Sequence, residues 1–201
     1  MPTARRLGNL RDALTLAELD RDDSVDSDDQ LALAARTNPD AFGQLYLRHR
    51  LAVYRYSRSR TPTEEDAIEL TAVTFERAFG AIGRYRPAGG GFVAWLLRIT
   101  RNSAIDRGRR VRPVVELDVD LEDGHPDHGP EVAALSRERR RAIAQALATL
   151  PDQQRDAIAL RFGSGLTARQ IGDVLGKREA ATQKLLSRAL VTLRERIHDD
   201  I

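Results

Sequence analysis

Residues 166–190, LTARQIGDVLGKREAATQKLLSRAL, decide the fold of this chain because they predict two short helices joined by a tight turn. Thr167 followed three residues later by Gln170 is the pattern of a capping box, which starts the first helix. Gly176 can adopt the left-handed conformation that ends it, and a second helix follows from about Glu179. This arrangement indicates a helix-turn-helix. The apolar face predicted for the second helix consists of Leu186, Leu190, Leu193 and Ile197.

The second helix of such a motif can read DNA. In the DNA-binding form it lies in the major groove, and its first residues contact base edges. Lys184 and Arg188 suit base edges or phosphates, and Glu179 can accept a hydrogen bond from cytosine. An ordinary helical hairpin with a solvated charged face is the alternative at this point. The candidate DNA-binding residues are Arg178, Glu179, Gln183, Lys184, Ser187 and Arg188.

The composition predicts a soluble, largely helical protein of one or two domains. Of 201 residues, 41% are hydrophobic and only 5% aromatic, so the core must consist mainly of aliphatic side chains. No apolar run is long enough for a membrane span, and the N-terminus lacks the apolar segment of a secretory signal. The absence of cysteine excludes disulfides and thiolate metal sites and fits a reducing cytosol, so we expect a cytoplasmic protein. The net charge of +2 means that nucleic-acid contact requires local clusters of basic residues.

The first half of the chain is predicted to contain a peripheral segment and a helical domain. Residues 1–27 are assigned to the periphery, because DRDDSVDSDD at 20–29 is dense in like charge and is typical of a mobile, solvated segment. The domain follows at 28–112. Its helices are predicted to begin after Asn38 and at Thr63, where breaker and capping residues occur.

The last helix of this domain, FVAWLLRITRNSAIDRGRR at 92–110, is strongly basic at its end. Six arginines and one aspartate fall between residues 98 and 112. Such a cluster near Trp95 and Asn102 is typical of nucleic-acid contact, although arginines also complement the dipole at a helix C-terminus. Trp95 itself is predicted to belong to the core.

An acidic linker is predicted to divide the chain into two helical domains. Residues 114–131 hold seven acids and neither Lys nor Arg, and their Gly and Pro residues prevent a helix. The linker is placed at 113–131 and a second domain of four helices at 132–201. A metal site is not favoured, because His125 and His128 lie in a Gly/Pro-rich segment without cysteine.

Three stretches resemble the extracytoplasmic-function (ECF) sigma factors of bacteria, a branch of the sigma-70 family. EEDAIELTAVTFERAFGAIGRYRP at 64–87 is similar to the region 2.2 helix of that family. The segment 92–110 is similar to its Trp-Leu…Ile-Ala-x-Asn…Asp-x-x-Arg-Arg signature, and LPDQQRDAIALRFGSGLT at 150–167 to the run before its helix-turn-helix. The chain departs from the usual family residues at Ala72, Val73, Ala180, Thr182 and Gln183.

The resemblance implies an all-α fold with a sigma region 2 domain, an acidic linker and a sigma region 4 domain. It implies a promoter-specificity factor that binds core RNA polymerase and directs transcription initiation by recognising minus-ten and minus-thirty-five promoter elements. An anti-sigma factor is a candidate partner, because many members of the family are regulated by one. The residues implied for the minus-ten element are Phe92, Arg98, Arg101, Asn102, Arg109 and Arg110. Those implied for polymerase are Glu69, Leu70, Phe75 and Arg77.

The sequence holds no catalytic constellation. Gly89-Gly90-Gly91 lacks the lysine and the spacing of a phosphate-binding loop, and no His lies near a plausible Ser or acid pair. We therefore expect a protein that is not an enzyme and uses neither cofactor nor metal. Two alternatives stay open: a stand-alone helix-turn-helix transcription regulator, and an adaptor with a sigma fold that binds polymerase without promoter specificity.

Overall fold

The computed structural model describes residues 22–108 and 143–199, and all regular structure within them is helical. The first range contains α1 (Asp22–Ala34), α2 (Pro39–Arg58), α3 (Glu64–Ala81), a 3₁₀ turn (Ile82–Arg84) and α4 (Gly91–Gly108). In the second, residues 143–148 are helical. They precede α5 (Asp152–Ile158), a π-helical turn (Ala159–Gly163), α6 (Ala168–Leu175) and α7 (Glu179–Asp199). The predicted all-α fold is confirmed; the acidic linker at 113–131 lies outside the described residues.

The predicted helix starts in the first domain are confirmed by their caps. The Asn38 side chain accepts a hydrogen bond from the backbone N–H of Asp40 at 3.0 Å, and Pro39 occupies the first turn of α2. Thr63 accepts from the N–H of Asp66 at 3.1 Å and so caps α3. Each cap satisfies a backbone donor that the helix itself leaves unpaired, which fixes where the helix begins.

Helix α1 includes part of the acidic segment, and two of its acids, Asp28 and Asp29, contact other elements of the first domain. It starts at Asp22, inside the acidic segment. Asp28 is buried and lies 2.8 Å from both Arg48 Nη1 and His49 Nε2 of α2. Asp29 accepts hydrogen bonds from the hydroxyl of Tyr85 and from the backbone N–H of Phe92. The expectation that these two acids are mobile and solvated is wrong. Their basic and hydrogen-bonding partners are distant in sequence, so a local pattern of charge does not reveal them.

The Asp28 contacts predict a pH-dependent contribution to stability. Burial alone would raise the pKa of Asp28, but His49 and then Arg48 outweigh burial and hold the pKa below its usual value of 3.8. The stabilisation is therefore fully present above pH 3.8 and is lost as the pH falls through the lowered value. We expect Asp28→Asn to lower the free energy of unfolding at neutral pH by about 1–3 kcal/mol.

Urea unfolding of the wild type and Asp28→Asn at neutral pH and near pH 3 tests this expectation. The difference between the two proteins should shrink at the acid pH, because the Asp28 carboxyl of the unfolded chain, with its ordinary pKa of 3.8, then binds a proton more readily than the native carboxyl does. Glu76→Gln, at an exposed acid of α3, is the control and should change little at either pH. An equal loss at both pH values in Asp28→Asn would contradict the linkage.

The two predicted domains share one continuous apolar core across the described residues. Leu160, Leu166, Ile171 and Val174 of the second half belong to the same buried cluster as Phe92 and other side chains of the first half. Helix α6 packs on α4, and the π-helical turn packs on α2. A smaller cluster within the second half consists of Leu147, Leu150, Ile158 and Ala189. The second domain therefore sits directly on α2 and α4.

Each helix described is too short or too polar to span a lipid bilayer.

Candidate nucleic-acid interface

The helix-turn-helix has the local geometry that the sequence predicts. Thr167 accepts from the backbone N–H of Gln170 at 3.2 Å, and the Gln170 side chain accepts from the N–H of Thr167 at 2.9 Å. This confirms the capping box. Gly176 has φ +68°, the left-handed conformation that ends α6, and α7 begins at Glu179. The turn thus joins α6 to α7 at the predicted residues.

Close packing inside the turn depends on a glycine that sequence reasoning missed. A Cβ added to Gly172 would lie 2.5 Å from the backbone oxygen of Lys177. The same Cβ would lie 3.2 Å from the hydroxyl oxygen of Thr182, which is fully buried and donates to the carbonyl of Arg178. Only glycine lets α6 approach the start of α7 this closely. Glycine is unfavourable inside a helix, so Gly172 within the predicted first helix of the motif was the sequence feature that could have indicated this close packing.

The outer face of α7 is exposed and polar, as the sequence predicts. Its inner face is formed by Thr182, Leu186, Ala189 and Leu193, with Thr182 and Ala189 fully buried. Leu190, predicted to be on this face, is 46% exposed. The adjacent Ala189 is buried in its place, so the buried face of α7 is rotated by one residue from the predicted face. All six candidate DNA-binding residues of the motif are exposed: Arg178, Glu179, Gln183, Lys184, Ser187 and Arg188.

A second candidate surface lies on α4. The side chains of Arg98 and Asn102 are exposed, four residues apart and hence on one helix face. Asn102 can offer both a donor and an acceptor to a base. Arg109 and Arg110, the other arginines predicted there, lie outside the described residues.

Phe92 is a core residue in this structure and does not face solvent. Its ring is fully buried, with ring centroids of Tyr85 and Trp95 at 5.6 and 5.5 Å and that of His49 at 5.6 Å. Trp95 is partly buried against the same cluster, which confirms its predicted core role. Helix periodicity places Phe92 on an apolar face, but it does not show which helices cover that face. In the structure, α1 and α2 cover it.

Arg101, predicted to contact DNA, is held by an acid of the other domain. Its Nε donates to Oδ2 of Asp156 at 3.0 Å. The hydroxyl of Tyr56 donates to Oδ1 of the same carboxylate at 2.8 Å, and Arg60 Nη1 lies 3.3 Å from it. Burial and then the charge of Asp156 raise the pKa of Tyr56 well above its usual value, so its hydroxyl remains a donor. No local pattern links residues so far apart, so this cluster could not be predicted from sequence.

The glycine turn before α4 is covered by α6. The side-chain amide of Gln170 donates to the carbonyl of Gly90 at 3.3 Å. A Cβ on Gly90 would lie 2.7 Å from Oδ2 of Asp173. Gly91 has φ +70°, a backbone conformation that favours glycine. The turn is thus pressed against the first helix of the helix-turn-helix.

The residues predicted to bind polymerase separate into two groups. Leu70 and Phe75 are buried in the first domain, so their side chains are not exposed in this structure, and their contact with polymerase stays a prediction. They point inward because α3 packs its apolar face on α2 and α4. Glu69 and Arg77 are exposed. They line an open cleft between α3 and α4, where Glu69 accepts from Arg107 at 2.7 Å and Arg77 donates to Ser103 at 2.8 Å.

No metal centre is formed by the part of the chain that the structure describes, where no three potential ligands cluster. The linker histidines, His125 and His128, lie outside it.

The fold and the exposed face of α7 define a helical protein of the helix-turn-helix class. The family model described as Sigma-70 region 2 matches residues 45–113, and that described as Sigma-70, region 4 matches residues 140–193. The chain is 36% identical over 163 residues to the ECF RNA polymerase sigma factor BldN of Streptomyces coelicolor, covering 80% of this chain and 62% of BldN. It is 33% identical to the RNA polymerase sigma factor CnrH of Cupriavidus metallidurans, covering 81% of this chain and 89% of CnrH.

Solved structures agree with this likeness. CnrH in complex with the cytosolic domain of CnrY has a TM-score of 0.67 and 28% identity, covering 87% of this chain and 99% of that one. The sigma factor RpoE in complex with the anti-sigma factor NepR, from Bartonella quintana, has a TM-score of 0.58 and covers 80% and 98%; at 22% identity it is a likeness in fold alone. The chain belongs to the ECF branch of the sigma-70 family of RNA polymerase sigma factors.

Proposed function

We propose that the chain is a promoter-specificity factor that binds core RNA polymerase and directs transcription initiation. The observation that carries the proposal is the exposed polar face of α7, in a chain matched by both sigma-70 region 2 and region 4. The proposed division is a peripheral segment at 1–27, a region 2 domain at 28–112, a linker at 113–131 and a region 4 domain at 132–201. Catalysis is assigned to the polymerase, so the chain itself supplies no catalytic group. The proposed location of the chain is the cytoplasm.

The minus-thirty-five element is proposed to bind in the major groove along α7. Lys184 and Arg188 are exposed one helical turn apart, which lets them reach one stretch of backbone or bases. Glu179 and Gln183, joined by a hydrogen bond of 3.4 Å, lie at the start of the helix, where side chains meet base edges. Arg178 and Ser187 complete the exposed face.

The minus-ten element is proposed to bind along α4 and the turn before it. Asn102 reads a base edge, and Arg98 and Arg101 contact phosphates, joined by Arg109 and Arg110 beyond the described residues. Phe92 has an indirect role: it lies in the core and helps to hold the turn before α4 in place. Its backbone N–H donates a hydrogen bond to Asp29 at 2.9 Å. Replacing any one of these arginines should weaken DNA binding without changing its sequence preference, because phosphates carry no sequence information.

Polymerase is proposed to bind at the cleft between α3 and α4. Glu69 and Arg77 supply its polar contacts, while the buried Leu70 and Phe75 fix the helix that carries them. A regulator is proposed as a further partner: CnrH and RpoE have both been solved with a bound protein, and for RpoE that protein is an anti-sigma factor.

In vitro transcription tests the proposed function. The purified chain is mixed with bacterial core polymerase and a genomic promoter library, and the 5′ ends of the transcripts are sequenced. We expect defined start sites that share two spaced upstream motifs. Polymerase binding without defined starts would favour an adaptor, and no binding to polymerase would favour a stand-alone regulator.

Single substitutions Lys184→Ala and Arg188→Ala are expected to weaken binding to a minus-thirty-five duplex. Each removes one phosphate or base contact, so the slope of log affinity against log salt concentration should fall by about one for a phosphate contact. Fluorescence anisotropy over a salt series measures both effects. Arg194→Ala, at an exposed arginine about 15 Å from Lys184 along the helix axis, is the matched control. Equal losses in all three variants would show a non-specific charge effect.

A further inference from the structure

Two exposed arginines converge on one backbone oxygen close to the glycine turn that precedes α4. Arg36, just after the end of α1, and Arg86 each donate a side-chain hydrogen bond to the carbonyl of Tyr85, the second at 2.9 Å. Two donors on one acceptor cannot lie farther apart than the two hydrogen bonds together, which is less than about 6 Å. The pair therefore concentrates two positive charges three residues before Gly89.

The position of this arginine pair is fixed by a buried aromatic ring. Tyr85 is fully buried, and its ring centroid lies 5.1 Å from that of Trp95 and 5.6 Å from that of Phe92. Its hydroxyl donates to Asp29 of α1. The carbonyl that orients both arginines therefore belongs to a residue that cannot move without disturbing the core. Such support from the surrounding residues organises a binding site before its ligand arrives.

The charge of the pair is not neutralised by the part of the chain that the structure describes. Within residues 22–108 and 143–199, neither Arg36 nor Arg86 forms an ion pair with a carboxylate. Asp29 binds the hydroxyl of Tyr85, at the far end of that side chain from the carbonyl, and the N–H of Phe92. Arg84, exposed on the 3₁₀ turn, adds a third positive charge. An anion bound here would relieve the repulsion between these like charges.

Both arginines keep most of their capacity to donate hydrogen bonds. A guanidinium has five N–H donors, and each of the two uses one of them on the Tyr85 carbonyl. A single donor is enough to satisfy that carbonyl, so the second arginine exceeds what the backbone requires. Guanidinium groups form strong and often bidentate hydrogen bonds with phosphate. The free donors of Arg36 and Arg86 therefore suit a phosphate oxygen better than any neutral ligand.

We propose that Arg36 and Arg86 together bind one backbone phosphate of the minus-ten strand. The inference rests on the proposed function, because that strand is proposed to lie along α4 and the turn before it. It extends the DNA surface past the glycine turn to the end of α1, where no residue has been assigned to DNA. A phosphate carries no sequence information, so this site sets the position of the strand and leaves the reading of bases to α4.

Binding of single-stranded DNA over a salt series tests the site in the full-length chain. The probes are a labelled strand with the minus-ten motif from the transcription experiment and an oligo-dT strand of equal length. Each phosphate contact on a single strand contributes about 0.7 to the slope of log affinity against log salt concentration. We expect R36Q/R86Q to lose about 0.7 of this slope on both strands and to bind them several-fold more weakly. The preference for the motif over oligo-dT should not change.

Two further variants separate a phosphate contact from a structural role of the arginines. R50Q removes an exposed arginine of the same domain, roughly 16 Å along the axis of α2 from Pro39, and should leave the slope unchanged. R36K/R86K keeps both charges but not the planar fork, so it should keep the slope and lose part of the affinity. Arginines that only hold the Tyr85 carbonyl would give a folded R36Q/R86Q protein with the wild-type slope, and that result would overturn the proposal.

A change on the DNA side tests the same contact without a protein variant. Motif strands are made in which one phosphate at a time is replaced by an uncharged methylphosphonate. At one position the replacement should weaken binding to the wild type, yet cause no further loss in R36Q/R86Q, because both changes remove the same contact. Additive losses at every position would refute the site, as would a wild-type chain that binds neither strand. Loss of transcription, with the oligo-dT slope still dependent on the two arginines, would count against the proposed function alone.

Discussion

Replacing Phe92 by alanine is expected to lower the free energy of unfolding by about 3–5 kcal/mol. The ring is fully buried and contacts the rings of Tyr85, Trp95 and His49, with centroid distances of 5.5 to 5.6 Å. Removing it leaves a cavity that these rings cannot fill without moving away from their own partners. Tyr85 is tied to Asp29 by its hydroxyl, so relaxation of the cavity wall is limited.

Urea unfolding followed by far-ultraviolet circular dichroism measures this loss. Phe162→Ala, at a phenylalanine that is 50% exposed, is the matched control and should cost well under half as much, because it removes less buried area. The experiment also separates two roles for Phe92. If Phe92→Ala keeps wild-type stability but no longer binds the minus-ten strand, Phe92 contacts DNA directly, as the family resemblance implies.

Replacing Gly172 by alanine is expected to destabilise the chain by about 3 kcal/mol and to abolish minus-thirty-five binding. The new Cβ would lie 2.5 Å from the backbone oxygen of Lys177, a distance that real contacts of this kind do not show. The carbonyl belongs to the turn and cannot rotate away as a flexible side chain would. Helices α6 and α7 must therefore separate, which moves the recognition helix relative to the rest of its domain.

Gly43→Ala provides the same chemical change at a position where it should be harmless. Gly43 lies inside α2, exposed, with nothing within 4 Å of an added Cβ. Alanine is preferred over glycine in a helix, so this variant should gain about 0.5–1 kcal/mol. Unfolding and duplex binding are measured for both variants. Wild-type stability in Gly172→Ala would mean that the close approach of α6 to the turn is not required.

Much of the local structure was predictable from short stretches of sequence. The caps at Asn38, Thr63 and Thr167 and the left-handed Gly176 depend on groups within four residues of one another, so their sequence patterns are sufficient. The exposed face of α7 follows from helical periodicity in the same way. These features establish the all-α class and the helix-turn-helix, and with them the six candidate residues for the minus-thirty-five element.

Periodicity is less reliable where it has to assign the buried face. Periodicity marks an apolar position without saying which neighbour covers it. It predicts that Leu190 lies in the core, and the polymerase contact of Phe75 is implied by the family resemblance alone. In the structure, Phe75 lies under α2, and Leu190 is exposed because α7 packs through Ala189 instead. The choice between adjacent stripes of a helix depends on how its partner helices cross it.

Interactions within a few residues define the helices, their ends and the polar face of the recognition helix, and for that reason short stretches of sequence are enough to predict them. Packing between distant helices defines the rest. It places Asp156 against Arg101, across 55 positions, and against Tyr56, across 100. It also lays α6 over Gly90, across 80 positions. Contacts of this kind become visible only in the folded chain, because a buried carboxylate carries no mark in the sequence that distinguishes it from an exposed one.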